Sequence, residues 1–254
     1  MTTLSVNVNK IAWLRNARGG NDPDVLWATQ TCINAGVHGI TVHPRPDMRH
    51  IRPDDVRAIA DLVTVEYNIE GNPFEGELGG YPGYMSLVRE VRPAQATLVP
   101  DSVDQITSNR GWNVARHQKE LTRVIGELKD LGCRVSLFME ADSDEFELVR
   151  KLGADRIELY TEDYARAHGT ADCAKVLERY ADAARHARES GLGVNAGHDL
   201  NLDNLADFLV IPEILEVSIG HALICDALKY GLEDTVHRYL ACLPKNPPAV
   251  DGND

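Results

Sequence analysis

The sequence predicts an α/β protein folded as a closed (β/α)8 barrel with additional helices, and three observations carry that prediction. Short β-rich segments recur along the chain with helical stretches between them, a rhythm that calls for a parallel sheet. There are eight such segments, the number that closes a TIM barrel. No strand candidate runs into a G-x-G-x-x-G turn, which weakens the open, dinucleotide-binding alternative.

The first strand candidate is LSVNVN (residues 4–9), followed by KIAWLRNARGG. Residues 22–35 are helical and stop at Gly36, and GITVHP (39–44) is the second strand. A helix over 53–62 opens on Pro53, a residue favoured at the first helical position, and leads to the third strand, VTVEYNIE (63–70). Then comes GNPFEGELGGYPGY (71–84), a long glycine-rich connection of the kind that serves as a lid or as a plain insertion. QATLVP (95–100) is the fourth strand. Helices over 114–131 and 142–152 end at Gly132 and Gly153, each leading almost at once into a strand: RVSLFME (134–140) and RIELYT (156–161). A polar connection over 162–172 precedes a helix over 172–190 that stops at Gly191, and GVNAGH (193–198) is the seventh strand. A helix over 202–209 and the eighth strand, LEVSIGH (215–221), complete the set, with a tight turn at Gly220 entering a last helix. Residues 1–243 are expected to form one catalytic domain. The proline-rich, acidic tail 244–254 is expected to be disordered.

Twenty-six basic against thirty-nine acidic residues give 254 residues a net charge of -13, which argues against nucleic acid as a partner. A small anionic ligand then requires basic groups gathered locally. No apolar run approaches the roughly 18 residues of a membrane span, and the opening MTTLSVNVNK lacks a basic leader followed by an apolar stretch, so a cytoplasmic protein is expected. The cysteines Cys32, Cys133, Cys173, Cys225 and Cys242 are scattered, and neither H-E-x-x-H nor an H-x-H after the first strand is present. No metal is expected. The helix residues Trp13, Trp27 and Phe208 are assigned to core packing.

A barrel builds its active site at the C-terminal ends of its strands. Those ends carry Asn7, Asn9 and Lys10, then His43 and Arg45, Glu70, Glu158, Asn195 with His198, and His221. Singly, each has a bland reading: asparagines turn chains, one histidine is more often structural, and Glu158 can pair with an arginine. Their convergence points to acid–base catalysis, with His43, Glu70 and His198 as the proton-moving groups. A second theme is anion binding. Lys10, Arg15 and Arg18 follow the first strand, Arg45 and His50 the second, and Gly197 and Gly220 offer close backbone approach, the latter at a helix start. Arg49 and Arg52 are assigned to solvent or to a helix start and left out of the site.

In context, these residues resemble one family, the pyridoxine 5'-phosphate synthases. The matching segments are VNVNKIAWLRNARGG, GITVHPRPDMRHIR, NIEGNP, TLVPDSVDQITSNRGW, RVSLF, RIELYTEDYA, VNAGHDL and EVSIGHALICDAL, which span nearly the whole chain before the tail. The resemblance implies a barrel with extra helices and no metal or organic cofactor. It also implies condensation of 3-amino-2-oxopropyl phosphate with 1-deoxy-D-xylulose 5-phosphate to pyridoxine 5'-phosphate, phosphate and water. By motif, His43 and Glu70 match the family's proton acceptors and His198 its proton donor. Asn7, Arg18, Gly220 and His221 match positions that hold the aminoketone phosphate, and Asp199 is included beside them. Asn9, Lys10, Arg45, His50 and Thr107 match positions for the deoxyxylulose phosphate, and Glu158 is assigned a supporting role. The implied partners are small phosphorylated molecules and further copies of the chain, an octamer built from dimers.

There are departures from the family pattern. Some members have Asp-His where this chain has Asn9-Lys10, glycine in place of Asp199, and T-G in place of Thr161-Glu162. The stretch after Asn72 is also longer than the resemblance leads one to expect. Two other classes stand beside this expectation. One is another phosphosugar aldolase or isomerase, for which Lys10 is the sole lysine at a strand end. The other is a non-catalytic barrel that binds a phosphorylated ligand.

Overall fold

The computed structural model describes residues 1–102, 105, 108 and 110–244, so Thr107 and all of the expected tail except Pro244 lie outside the described residues. The strands are β1 (Thr3–Asn7), β2 (Gly39–Val42), β3 (Glu66–Gly71), β4 (Gln95–Leu98), β5 (Arg134–Met139), β6 (Arg156–Tyr160), β7 (Gly193–Gly197) and β8 (Ile214–Ile219). They pair in parallel in chain order, and β8 returns to β1 with Val6 opposite Ile219, closing the barrel.

Every predicted strand is present. The predicted helices are α2 (Val25–Asn34), α3 (Pro53–Leu62), α5 (Val114–Asp130), α6 (Phe146–Lys151), α8 (Cys173–Glu189) and α9 (Leu205–Phe208), and the helix after Gly220 is α10 (His221–Tyr230). Local chemistry explains their ends. Asp24 caps α2 by accepting the Leu26 N–H at 2.8 Å, and Asn113 caps α5 through the Arg116 N–H at 3.0 Å. Gly36, Gly132, Gly153 and Gly191 all take the left-handed conformation just past a helix, which L side chains adopt at a cost.

Four helices lack a sequence prediction: α1 (Asn9–Asn16), α4 (Tyr84–Val91), α7 (Glu162–Ala167) and α11 (Leu232–Ala241). None has a side-chain cap, a lack they share with α6, α8, α9 and α10, and α7 has only six residues. Consequently β1 ends at Asn7, and Asn9 opens α1 rather than closing the strand.

The strands alternate, with one face apolar and packed on the helices. Leu4, Val6, Ile40, Val42, Ile69, Ala96, Leu98, Val135 and Leu137 all belong to this buried layer. The other face points into the barrel and is polar, where such barrels are usually filled by branched apolar side chains. Ser5 and Thr41 hydroxyls meet at 2.7 Å, Asn68 donates to Thr41 at 3.3 Å, and Thr97 donates to Asn68 at 3.0 Å. Below them, Gln95 donates to Glu216 at 3.3 Å and Arg156 donates to Asn195 at 2.9 Å and to Glu216 at 3.4 Å. Bonds across the barrel thus offset the cost of burying these groups. Of the three aromatics assigned to the core, Phe208 is buried. Trp27 is 60% and Trp13 37% exposed, so that assignment fails for both tryptophans.

No helix among the described residues is long and apolar enough to cross a membrane.

Candidate active site

At the C-terminal end of the barrel lies a cavity of about 560 Å3. It is lined by Asn7, Asn9 and Lys10 from the end of β1, His43, Arg45 and His50 after β2, and Glu70 on β3. From the far side come Glu158, His198, Asp199, Gly220 and His221. Most of the predicted residues therefore converge; Arg15, Arg18, Asn195 and Gly197 do not line the cavity, and Arg18 is exposed.

The heart of the cavity is a chain of hydrogen bonds. The Asn7 side chain accepts the Asn9 N–H at 3.0 Å and donates to Glu70 Oε2 at 3.3 Å. The Asn9 side-chain Oδ1 accepts the His43 backbone N–H at 2.9 Å, and His43 Nδ1 lies 3.8 Å from Glu70 Oε2. Asn7 thus orients the Glu70 carboxyl and Asn9 fixes the main chain that carries His43; Glu70 and His43 are 6% and 4% exposed. His43 Nε2 and Glu158 Oε2 are buried without a protein partner among the described residues.

Burial dominates the electrostatics. It lowers the His43 pKa well below the usual imidazole value, helped by the charge of Arg45, so the ring is neutral and able to accept a proton. It pushes Glu70 up to about 8, with Asp101 reinforcing and Arg45 opposing. Burial again, then Glu70 and Glu216, raises Glu158 well above the ordinary carboxylate value, which favours its protonated form. Glu70 is the carboxyl poised to exchange protons near neutrality, where acid–base catalysis is most effective.

Arg45 is anchored by Asp101, which also accepts the Ser108 hydroxyl at 2.6 Å. His50 accepts the Ile51 N–H on Nδ1 at 2.9 Å, and burial followed by Arg45 lowers its pKa to about 3. A neutral His50 with Nδ1 occupied carries its proton on Nε2 and is a hydrogen-bond donor. Lys10 stacks on Trp13, its Nζ 4.1 Å from the ring centroid, and burial lowers its pKa.

Arg15, expected among the anion-binding groups, is instead a buried brace. It grips both oxygens of Asp55 at 2.6 and 2.8 Å and donates to the His50 carbonyl at 3.3 Å. Arg49, assigned to solvent, is half-buried and donates to the Gln105 carbonyl at 3.1 Å, a carbonyl it shares with Arg45. Arg52 does sit at a helix start, its N–H held by Asp55 at 2.8 Å.

On the opposite wall, His198 and Asp199 follow β7 with φ of 76° and 59°. Two consecutive left-handed non-glycine residues are unusual and mark a constrained turn. The conformation explains why glycine suits the second position in relatives. The Thr161 hydroxyl donates to the Gly197 carbonyl at 2.7 Å and to the His198 carbonyl, tying the turn to β6. The His198 ring stacks against Phe138 and Tyr160, with centroids 4.9 and 5.4 Å apart, and burial lowers its pKa against the pull of Asp199. Gly197 is dictated by space, since a Cβ there would lie 2.3 Å from Glu158 Oε1.

Sequence reasoning missed Trp13, Ser108, Tyr160, Arg166 and Ser218 in the lining. Tyr160 and Ser218 occupy inward-facing strand positions and were discoverable by alternation. Arg166 carried no signal. Among the described residues no group of three or more histidine, cysteine or acidic side chains is placed to hold a metal ion.

The match to known proteins is extensive. The family described as pyridoxal phosphate biosynthesis protein PdxJ matches residues 4–245. The chain belongs to this family. Among its relatives, the pyridoxine 5'-phosphate synthase of Xanthomonas campestris pv. campestris (strain B100) is 58% identical over 246 residues, covering 95% of this chain and 96% of that one. The enzyme of the same name from Xylella fastidiosa (strain 9a5c) is 54% identical over 253 residues, covering 98% and 97%. Among solved structures, a tryptophan synthase from M. tuberculosis superposes with a TM-score of 0.62 at 11% identity, covering 96% of this chain and 93% of that one. KGPDC from Streptococcus mutans gives 0.60 at 9% identity, covering 95% and 97%. At that identity the two structures share the fold of the PdxJ-family chain and nothing finer.

Proposed function

We propose that the chain is a pyridoxine 5'-phosphate synthase. It condenses 3-amino-2-oxopropyl phosphate with 1-deoxy-D-xylulose 5-phosphate, releasing inorganic phosphate and water as the pyridine ring closes. The carrying observation is the Asn7–Glu70–His43 arrangement: a buried carboxyl held by Asn7, its pKa pushed up to about 8, beside a neutral imidazole whose main chain is held by Asn9.

Imine formation, enolisation, elimination and ring closure all move protons at carbon or oxygen. Glu70, ionised in part near neutrality, takes carbon-bound protons. Neutral His43, with Nε2 not engaged by any described protein group, shuttles protons during dehydration and closure. His198, acidic once protonated because it is desolvated, delivers a proton to departing groups. Protonated Glu158 supports them as a donor within the barrel mouth. The deoxyxylulose phosphate belongs with Asn9, Lys10, Arg45, His50 and Thr107. The aminoketone phosphate belongs with Asn7, Asp199 and the start of α10 at Gly220 and His221, where backbone N–H groups favour an anion.

The reading carries with it a cytoplasmic enzyme assembled as a homo-oligomer, an octamer built from dimers by family resemblance. The decisive experiment incubates chelator-treated protein with both substrates and follows pyridoxine 5'-phosphate by absorbance and mass, with Glu70→Gln alongside. Product from wild type and at least a hundredfold less from the variant is the expected outcome. Substrate binding without product would refute the assignment.

A further inference from the structure

The charges around the cavity are unevenly spread. Lys10 and Arg45 stand on the β1–β2 side, whereas the wall built by β6 to β8 presents the carboxyl groups of Glu158, Glu162 and Asp199. Among the described residues, one lysine or arginine lines that wall: Arg166 of α7. A phosphate settling on the turns at Asp199 and Gly220 meets Glu162 and Asp199 in a protein of net charge -13, and opposing charge has to come from somewhere nearby.

Arg166 is held where it can supply it. Its Nη2 pairs with Glu162 Oε1 one helical turn away, while Glu162 Oε2 accepts the Tyr160 hydroxyl. With a partner on each oxygen, the carboxylate is fixed, and it fixes the guanidinium in turn. Thr161 just before it is bonded to the carbonyls of Gly197 and His198, so the start of α7 moves with the catalytic turn. The Arg166 side chain is 76% exposed, and a guanidinium has five N–H donors, of which Glu162 takes a part. The remainder are left on a side chain that lines the cavity.

We propose that Arg166 is a substrate-phosphate ligand on the β6–β8 wall, positioned by Glu162, and that it sets the affinity for the phosphorylated substrate seated over Asp199 and Gly220. This inference rests on the synthase reading for the identity of that substrate, the aminoketone phosphate. It also gives a purpose to Glu162, which stands where relatives have glycine. Glycine has no side chain with which to hold an arginine one turn later.

The test is calorimetric titration of wild type, Arg166→Gln, Arg166→Lys and Glu162→Gln with 3-amino-2-oxopropyl phosphate, alongside steady-state kinetics with both substrates. Arg166 is exposed, so its variants fold. Arg166→Gln should bind the aminoketone phosphate about tenfold more weakly, the effect of one charge-assisted contact discounted for exposure. Its KM for that substrate should rise by a similar factor, with kcat within about twofold and KM for the deoxyxylulose phosphate unchanged. Arg166→Lys should recover part of the loss, and Glu162→Gln should show a smaller loss in the same direction, about threefold. Undiminished binding by Arg166→Gln, or a fall in kcat at constant KM, overturns the inference. Wild type that binds both compounds without turnover overturns the synthase reading and leaves the binding comparison to judge Arg166. Wild type that binds neither overturns both.

Discussion

Replacing Glu70 by glutamine should make the protein more stable, and only at neutral and alkaline pH. The side chain is 6% exposed, and its pKa rises from an ordinary 4.5 to about 8, chiefly through burial. Between those two values the unfolded chain releases the Glu70 proton while the folded chain retains it. Stability then falls with rising pH by about 1.4 kcal/mol per unit, and the loss is constant once pH exceeds the folded-state pKa. The full penalty is up to about 5 kcal/mol, shared with Glu158 and Glu216, which bear on the same proton. Glutamine keeps an acceptor for the Asn7 amide and never ionises. Thermal melts of wild type and Glu70→Gln should therefore differ by under about 1 kcal/mol at pH 5 and by several at pH 9. At roughly 2–4 °C per kcal/mol, that is a Tm advantage for the variant of up to about 10–20 °C. Titrating groups away from this carboxyl cluster cancel in the comparison. An equal gap at pH 5 and pH 9 would refute the claim that Glu70 is held protonated by its surroundings.

Two further predictions bear on the two walls of the site. Gly197→Ala puts a methyl 2.3 Å from Glu158 Oε1 and 3.3 Å from the Ser218 carbonyl, and should cost about 1–3 kcal/mol by overpacking; a thermal melt shows it, and the loss should shrink in a Glu158→Ala background, whereas equal losses in both backgrounds contradict the clash. His50, with its pKa lowered to about 3 and Nδ1 accepting the Ile51 N–H, should appear in nitrogen NMR as the neutral Nε2–H tautomer with no titration from pH 5 to 9; a midpoint near 6.5 would show that burial and Arg45 do not control it.

Much of this was legible from periodicity and punctuation. The eight strands announce themselves by β-rich runs after helix-stopping glycines, and the strand-end rule then singles out His43, Glu70 and His198 without any knowledge of side-chain geometry. What escaped detection has physical reasons. The helix α1 begins two residues after β1 ends, so its first residues read as strand, and α7 is only six residues long, too short to show a helical period. Arg15 and Arg49 were misassigned because sequence shows charge but not the partner: Asp55, forty positions from Arg15, turns an apparent anion ligand into a brace for the His50 loop. Arg18 fails to reach the cavity for a similar reason, since proximity to Lys10 along the chain says nothing of direction once α1 begins at Asn9.

The polar interior of the barrel links stability to chemistry. In an isolated strand, alternation such as I-T-V-H or Y-N-I-E reads as apolar-in and polar-out, but helices cover the outside of a barrel and reverse the phase. The hydroxyls and amides sent inward bond to one another across the barrel. They also surround Glu70, Glu158 and Glu216 with groups that solvate a carboxyl poorly compared with water. Burial is the largest cause of the raised pKa at all three carboxyls, and each also lies near another acid. An apolar filling would expel these groups or neutralise them outright; a wet one would leave them ordinary acids. Buried but hydrogen-bonded, the interior raises all three carboxyls by the same means. Glu70 differs from Glu158 in facing the Arg45–Asp101 ion pair, whose carboxylate raises its pKa and whose guanidinium opposes that rise, whereas Glu158 has only other acids beside it.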